Sequence, residues 1–493
     1  MPRFAAGLLV FCTSAAVLVL EILAGRLLAP YVGVSLETYT GIIGTVLAGI
    51  SLGTWLGGQA ADRVHPRKSL GLLLILGGAL ALCTIPAIRM FGSAQLGSGP
   101  GAIVMLALVG FFGPATVLSA VSPTVVKLQL ADLDETGRVV GRLSALGTAG
   151  AIFGTFATGF VLVTAIPTTS IVIGLGALLV GAGVLLWAWL GRAYGAQLPG
   201  GVLMLAALSG GLAVLLPSPC QFESPYFCAR VEPDPIRETG RTLWLDRLRH
   251  SYVDLADPTH LEFTYAQTMG DVVAAVAPEG EPIEALHIGG GGFTLPRYIA
   301  AVRQGSFSRV LELDPTILRV ARTELGLQTG PDLQVRIGDA RLSLADEPSD
   351  RYDLVIGDAF GGQAVPWHLT TVEFIEHIKR AMTPEGVYAL NLIDFPPLGF
   401  ARAETATLRQ QFDYVAVIAP ASRIQKATGG NFVLIASDAP LDIEEIQRRN
   451  RARGDTDVVA FRDAALDAFV AGAPVLTDDY APVDQLLTPA ALP

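Results

Sequence analysis

Charge is what the first 217 residues lack. They hold ten of the chain's 34 Lys and Arg and six of its 45 Asp and Glu, a balance of +4, and the remaining 24 bases and 39 acids leave residues 218–493 at -15. So little charge excludes an ordinary solvated surface for the first half, and so acidic a second half excludes a nucleic-acid-binding surface. Histidine and cysteine are also scarce, at six and four. The histidines show no ligand spacing with cysteines or acids, so no metal site is expected. Cys12 and Cys83 fall in apolar runs and read as small core residues. Cys220 and Cys228 flank "QFESPYF", a spacing that suits either a short disulfide loop in an oxidising compartment or two free thiols.

What is present in the first half is apolar sequence. Seven stretches, at approximately 4–28, 39–61, 70–91, 102–121, 143–166, 170–190 and 200–216, approach the roughly 20 residues that cross about 30 Å of hydrocarbon. Buried helices of a large soluble protein would keep more of a polar face. The first stretch is no cleavable signal, because Glu21 and Arg26 stand at its far end without a small-residue cleavage site. These two charges are either an intramembrane functional pair or an interfacial structural one. Cations concentrate in "DRVHPRK" after the second stretch, at Lys127, Arg138 and Arg142 after the fourth, and at Arg192 after the sixth. The positive-inside rule makes those turns and the amino terminus cytoplasmic, in a multi-pass protein of the cell membrane. Seven crossings would leave the carboxy-terminal domain outside; the side it occupies stays open.

The second half alternates strand and helix. Apolar β-branched runs predict strands at 286–288, 309–313, 333–337, 353–357, 386–392, 414–419 and 431–436, with amphipathic helices at 294–303, 315–325, 370–382 and 399–412. The pattern is a doubly wound, Rossmann-like α/β domain over 281–493. A Pro-rich linker within 218–240 and a small β-hairpin subdomain over 241–280 precede it. In such sheets ligands bind beyond the carboxyl ends of the strands, where strand order reverses. Gly289–Gly292 close the first strand, Glu312 the second, Asp339 the third and Asp358 the fourth. A glycine turn followed about 20 residues later by an acid suits a nucleotide ribose.

These residues carry a resemblance. "LWLDRLRHSYVD", "LEFTYAQTM", "IGGGGFTLPR", "VLELDP", "IGDAR", "YDLVIGDAF" and "TPEGVYALNL" resemble spermidine synthases, the polyamine aminopropyltransferases that share the fold of Rossmann-like methyltransferases. The whole chain looks like their membrane-fused branch. Residues 53–68 and the run "GRVVGRLSALGTAGAIFGTFATGF" resemble parts of major facilitator transporters. The resemblance implies decarboxylated S-adenosylmethionine, or S-adenosylmethionine, as co-substrate with no tightly bound cofactor, and a small amine or polyamine as acceptor. It places the donor at Gly289, Gly290, Gly291, Glu312, Asp339 and Ala340, and the acceptor at Tyr265, His250 and Asp358, with Asp358 catalytic. A lipid bilayer and a second copy of the chain are the remaining expected partners.

Two departures bear on the substrate. Gly292 stands where the family has an Asp that pairs with the donor's ammonium, and Gly361 where it has a second acid after Asp358. Asp394, Asp478, Asp479 and Asp484 are candidate replacements, because two cations brought together need carboxylates beside them. Three functions fit: an aminopropyltransferase, another S-adenosylmethionine-type enzyme such as a methyltransferase, and a sensor or transporter that binds without turnover.

Overall fold

The structure is a computed structural model that describes residues 1–94, 99–130, 133–362, 364–425, 428–455, 458–461 and 464–488. Residues 95–98, in the uncharged turn after the third apolar stretch, lie outside these. The chain divides into two compact units, Met1–Arg230 with Leu245–Arg247, and Val231–Trp244 with Leu248–Pro493.

In the first unit, six helical runs are long and apolar enough to cross a membrane: α1 (Arg3–Val32), α2 (Leu36–Arg63), α3 (Pro66–Gly92), α4 (Pro100–Gln129), α5 (Thr136–Ala165) and α6 (Thr168–Tyr194). The seventh expected span is corrected to a shorter helix, α7 (Gly200–Leu215), of 16 residues. At about 1.5 Å per residue that is roughly 24 Å, less than the hydrocarbon thickness. The local sequence sets this length. Gly195, in the left-handed region at φ 74°, ends α6, Pro199 precedes α7, and Leu216, ahead of Pro217, takes extended backbone.

Glycines set the packing of this unit. A Cβ at Gly150 of α5 would sit 2.1 Å from the carbonyl oxygen of Phe11 on α1, and one at Gly154 would sit 2.5 Å from that of Ala15. One side of the glycine-rich run is therefore the α1 contact, a backbone approach available only to the smallest residue.

The bundle has two chemically distinct ends. At one, Asp62 closing α2 pairs with Lys127 closing α4 at 2.7 Å, and Arg67 bonds Tyr194; these are the basic turns. At the other, Arg89 of α3 donates to the carbonyls of Ala213 and Leu216 (2.9 and 2.7 Å) in the last turn of α7. There Glu223 accepts from the N–H and hydroxyl of Thr169, at the start of α6 (3.2 and 2.6 Å), and Arg26 donates to the carbonyl of Ser224. Cys220 and Cys228 form a disulfide, which decides between the two readings of that pair. Short as it is, α7 carries the chain to the end of this unit opposite the basic turns.

A four-stranded sheet of order β1-β2-β3-β4 comprises β1 (Phe222–Glu223), β2 (Cys228–Pro233), β3 (Gly240–Leu245) and β4 (Leu248–Asp254). The expected hairpin is its β3-β4 part, turning at Asp246 with φ 52°. The second unit is built on an eight-stranded sheet: β5 (Glu284–Ile288), β6 (Phe307–Glu312), β7 (Leu333–Ile337), β8 (Tyr352–Gly357), β9 (Met382–Asp394), β10 (Tyr414–Pro420), β11 (Gly430–Ser437) and β12 (Val458–Phe461), in the order β12-β10-β11-β9-β8-β5-β6-β7. Strands β5 to β9 run parallel, whereas β10, β11 and β12 join antiparallel, so the sheet is mixed. All seven predicted strands are present; β12 is additional. Leu286, Ile288 and Val355 point into one buried cluster and Ala285, Leu354 and Ile356 into another, so both faces of the central strands are covered, as parallel strands require. Helices α8 (Thr264–Ala275), α9 (Thr294–Val302), α10 (Pro315–Glu324), α11 (Ala340–Ala345), α12 (Val372–Ala381) and α13 (Gly399–Gln411) flank the sheet sequence. Strand order reverses between β5 and β8, which places the ligand crevice beyond Ile288 and Gly357.

The glycine contact in the first unit is testable. Gly150→Val pushes a branched side chain into the Phe11 carbonyl, and overpacking of this kind costs about 1–3 kcal/mol. The expected result is a lower melting temperature in detergent and a lower folded yield, with Gly141→Ala, where a Cβ meets nothing within 4 Å, as the harmless control.

Candidate functional site

The glycine turn is fixed from four directions. A Cβ at Gly289, whose φ is 95°, would sit 2.5 Å from the Asp358 carbonyl oxygen. One at Gly290 would meet the Phe293 ring at 2.7 Å, one at Gly291 the His250 ring at 2.9 Å and one at Gly292 the Ser251 Cβ at 2.7 Å. The Gly292 N–H donates to Ser251 Oγ at 2.9 Å. Ser251 of β4 thus occupies the space that the Cβ of any side chain at 292 would need, the Asp of the resemblance included. Phe293 takes the left-handed region at φ 57° and is fully buried, an unusual conformation for a bulky residue, with its ring beneath Gly290.

Glu312 closes the turn from β6. One carboxylate oxygen accepts from Gly290 N–H (2.8 Å) and Gly291 N–H (3.3 Å), the other from Asp314 N–H at 2.8 Å. Burial pushes its pKa up and the backbone donors hold it down, with a net rise. Asp358 stands on the opposite side, after β8. Its Oδ1 accepts from Asn391 Nδ2 at 2.8 Å and its Oδ2 from the Tyr265 hydroxyl at 3.3 Å. Burial pushes its pKa up to about 6. Burial and the facing carboxylate drive the Tyr265 hydroxyl far above its ordinary range, so it stays a donor. His250 shares a hydrogen bond with Ser251 Oγ at 2.9 Å, and burial lowers its pKa to about 4, leaving it neutral at pH 7.

The structure thus brings Gly289, Gly290, Gly291, His250, Tyr265 and Asp358 around one cleft. Glu312 is not in the lining of that cleft; both its oxygens accept from backbone N–H groups. Asp339 and Ala340 are apart, at the start of α11: Asp339 caps that helix through Leu342 N–H (3.0 Å) and meets His368 Nε2 at 3.0 Å. The replacement acids fail. Asp394 is buried and accepts from the N–H groups of Phe395, Ala401 and Thr488, which makes it a cap. Asp478 pairs with Arg341 at 2.5 Å, and Asp479 and Asp484 are exposed; none of the four lines the cleft. Sequence reasoning missed Asn391, Ser251 and His287. Asn391 was the findable one, a lone amide in the apolar run "YALNLI", where a buried polar group needs a partner.

Glu312→Gln replaces an acceptor-only carboxylate with a group that turns an N–H donor toward backbone N–H donors. Loss of a buried charged acceptor costs about 1–3 kcal/mol. Denaturant unfolding at pH 7 should show that loss, and methylthioadenosine affinity should fall at least tenfold in calorimetry, because the turn loses its brace.

No family model matches the chain. Its sequence is 31% identical over 134 residues to the polyamine aminopropyltransferase of Vibrio vulnificus (strain CMCP6), 27% of this chain and 44% of that protein. The eEF1A lysine and N-terminal methyltransferase of Danio rerio is 26% identical over 144 residues, 27% of this chain and 21% of that protein. A crystal structure of a probable spermidine synthase from Corynebacterium glutamicum ATCC 13032 is 28% identical with a TM-score of 0.49, covering 54% of this chain and 96% of that one. The chain spans about half the length of the curated aminopropyltransferases it matches, 44% and 53%. The carboxy-terminal half is accordingly spermidine-synthase-like in sequence, with methyltransferases also among its relatives.

Proposed function

We propose that the second unit is an aminopropyltransferase-like enzyme, moving an aminopropyl group from decarboxylated S-adenosylmethionine to an amine. The observation that carries this is Asp358, a desolvated carboxylate held by Tyr265 and Asn391 beside a side-chain-free turn. A site that only binds gains nothing from a carboxylate whose ionisation burial opposes, whereas a proton acceptor does.

The chemistry assigns the roles. The amine nitrogen attacks the carbon beside the sulfonium, the C–N bond forms, and the C–S pair returns to sulfur as a neutral thioether. The nitrogen must arrive unprotonated, although a free alkylamine has a pKa near ~10, and the proton it sheds passes to Asp358. Tyr265 orients that carboxylate and bounds the acceptor. His250, neutral, adds no third cation. Gly289, Gly290 and Gly291 let backbone approach the nucleoside, with Glu312 bracing them and toward the ribose, and Asp339 and Ala340 toward the adenine. Gly292, packed on Ser251, offers no carboxylate to repel intact S-adenosylmethionine, so discrimination between the two donors is weak.

The first unit is proposed as a multi-pass membrane domain with its basic turns and amino terminus in the cytoplasm. Its exit end favours a second reading. Residues 216–228 finish opposite the basic turns, hence outside, where a disulfide persists and a cytoplasmic sulfonium donor is absent unless delivered. There the same cleft serves as a nucleoside or polyamine sensor without turnover.

Two measurements separate the readings. In the full chain in detergent, methylthioadenosine release should show a limb that rises with pH through about 6, since Asp358 accepts a proton only when ionised. Asp358→Asn should remove that limb and lower turnover about a hundredfold, leaving nucleoside binding intact. Release from neither donor with any acceptor would support the sensor. Reporter fusions at residues 195 and 235 should report opposite sides; the same side at both would show that α7 does not cross.

A further inference from the structure

Asp358 is held by an amide, and that amide is held by another. Asn391, buried on β9, donates from Nδ2 to Asp358 Oδ1 at 2.8 Å and accepts at its own Oδ1 from Asn431 Nδ2 at 3.0 Å. Strand register explains the reach. Val433 of β11 stands opposite Asn391, so Asn431, two residues earlier, is its diagonal neighbour on the same face, within range of two side-chain amides. Arg423, just past β10, fixes Asn431 in turn by donating to its backbone carbonyl at 2.8 Å. The other titratable groups lining the cleft are Tyr265 of α8, His250 and Tyr252 of β4, His287 of β5, and Glu262, which Arg249 holds at 3.4 Å. Burial lowers the two histidines to about 4 and about 3, so neither is charged at pH 7.

An amide has a donor end and an acceptor end of nearly the same shape. With its nitrogen toward Asp358, Asn391 favours the ionised carboxylate; with its oxygen there, it would favour the protonated acid, which has no room for a second proton. Because Asn431 presents an N–H to the Asn391 oxygen, the nitrogen end is left for Asp358. We propose that Asn431 is a positioning residue of the transfer: acting through Asn391, it keeps an N–H donor on the carboxylate that accepts the amine's proton. This rests on the transferase reading and adds to it a residue that touches no reacting atom; the bonds made and broken are those already given. A bond that served only the sheet would change stability but not the ionisation of Asp358.

The test is an infrared pH titration of the full chain in detergent, following the protonated-carboxyl band that Asp358→Asn removes, together with methylthioadenosine release at pH 6 and pH 8. In wild type the band should fade through about 6. Asn431→Asp offers the Asn391 oxygen no donor, turns that amide over, and should raise the midpoint by at least about one unit. A one-unit rise lowers the ionised fraction about fivefold at pH 6 and by only about a tenth at pH 8, so release relative to wild type should fall at pH 6 and recover at pH 8. Asn431→Leu, which adds no charge, should act in the same direction and carries the test if Asn431→Asp melts early. In an Asn391→Leu background, where no amide remains to turn, Asn431→Asp should move the midpoint by about half as much or less. An unmoved midpoint in both Asn431 variants, an equal shift with and without the Asn391 amide, or an equal loss of release at both pH values would overturn the assignment. Absence of release from wild type with every donor and acceptor would sink the transferase reading, while the band titration still decides whether Asn431 governs Asp358.

Discussion

Everything in the second unit is arranged around the closeness of one backbone turn to its neighbours. Gly289 to Gly292 pass within contact of the Asp358 carbonyl, the Phe293 ring, His250 and Ser251, so at all four positions a side chain would collide with β4, with β8 or with the turn's own continuation. That bareness leaves N–H groups needing acceptors, and Glu312 and Ser251 supply them. The switch point between β5 and β8 then puts Asp358 across from the turn. A nucleoside sulfonium laid on the turn would present its reactive carbon toward a carboxylate poised to take a proton.

The same packing explains the electrostatics. Polyamine chemistry calls for carboxylates, yet this cleft is lined by Asp358 among neutral groups: Tyr265 and Asn391 on its oxygens, His250 held neutral by burial. Ser251 closes the space that a turn carboxylate would occupy.

Much of this was legible in the sequence, and its limits have physical causes. Strand positions and the four strand-end groups followed from buried apolar runs punctuated by glycine and acid, because central parallel strands admit little else. The helical bundle followed from missing charge. The bounds of the last stretch, 200–216, were legible to within a residue of Gly200–Leu215, but hydropathy alone did not show that a helix set between Pro199 and Pro217 is shorter than the hydrocarbon is thick. That Glu312 braces the turn was not legible, because a strand-end acid looks the same in sequence whether or not it accepts from the backbone beside it. Asp394 and Asp478 looked like replacement acids until backbone N–H groups and Arg341 claimed them. Asn391 meets Asp358 from β9, 33 residues further along the chain, a proximity that no local pattern encodes.

What the glycine turn cradles decides the chemistry of the second unit. A structure of the full chain with saturating methylthioadenosine tests this most directly. Density for the nucleoside is expected against Gly290 and Gly291, between the ends of β6 and β7, with the thioether sulfur directed toward Asp358 and Tyr265. An unchanged cleft at saturating ligand, or a nucleoside bound away from the turn, would contradict it.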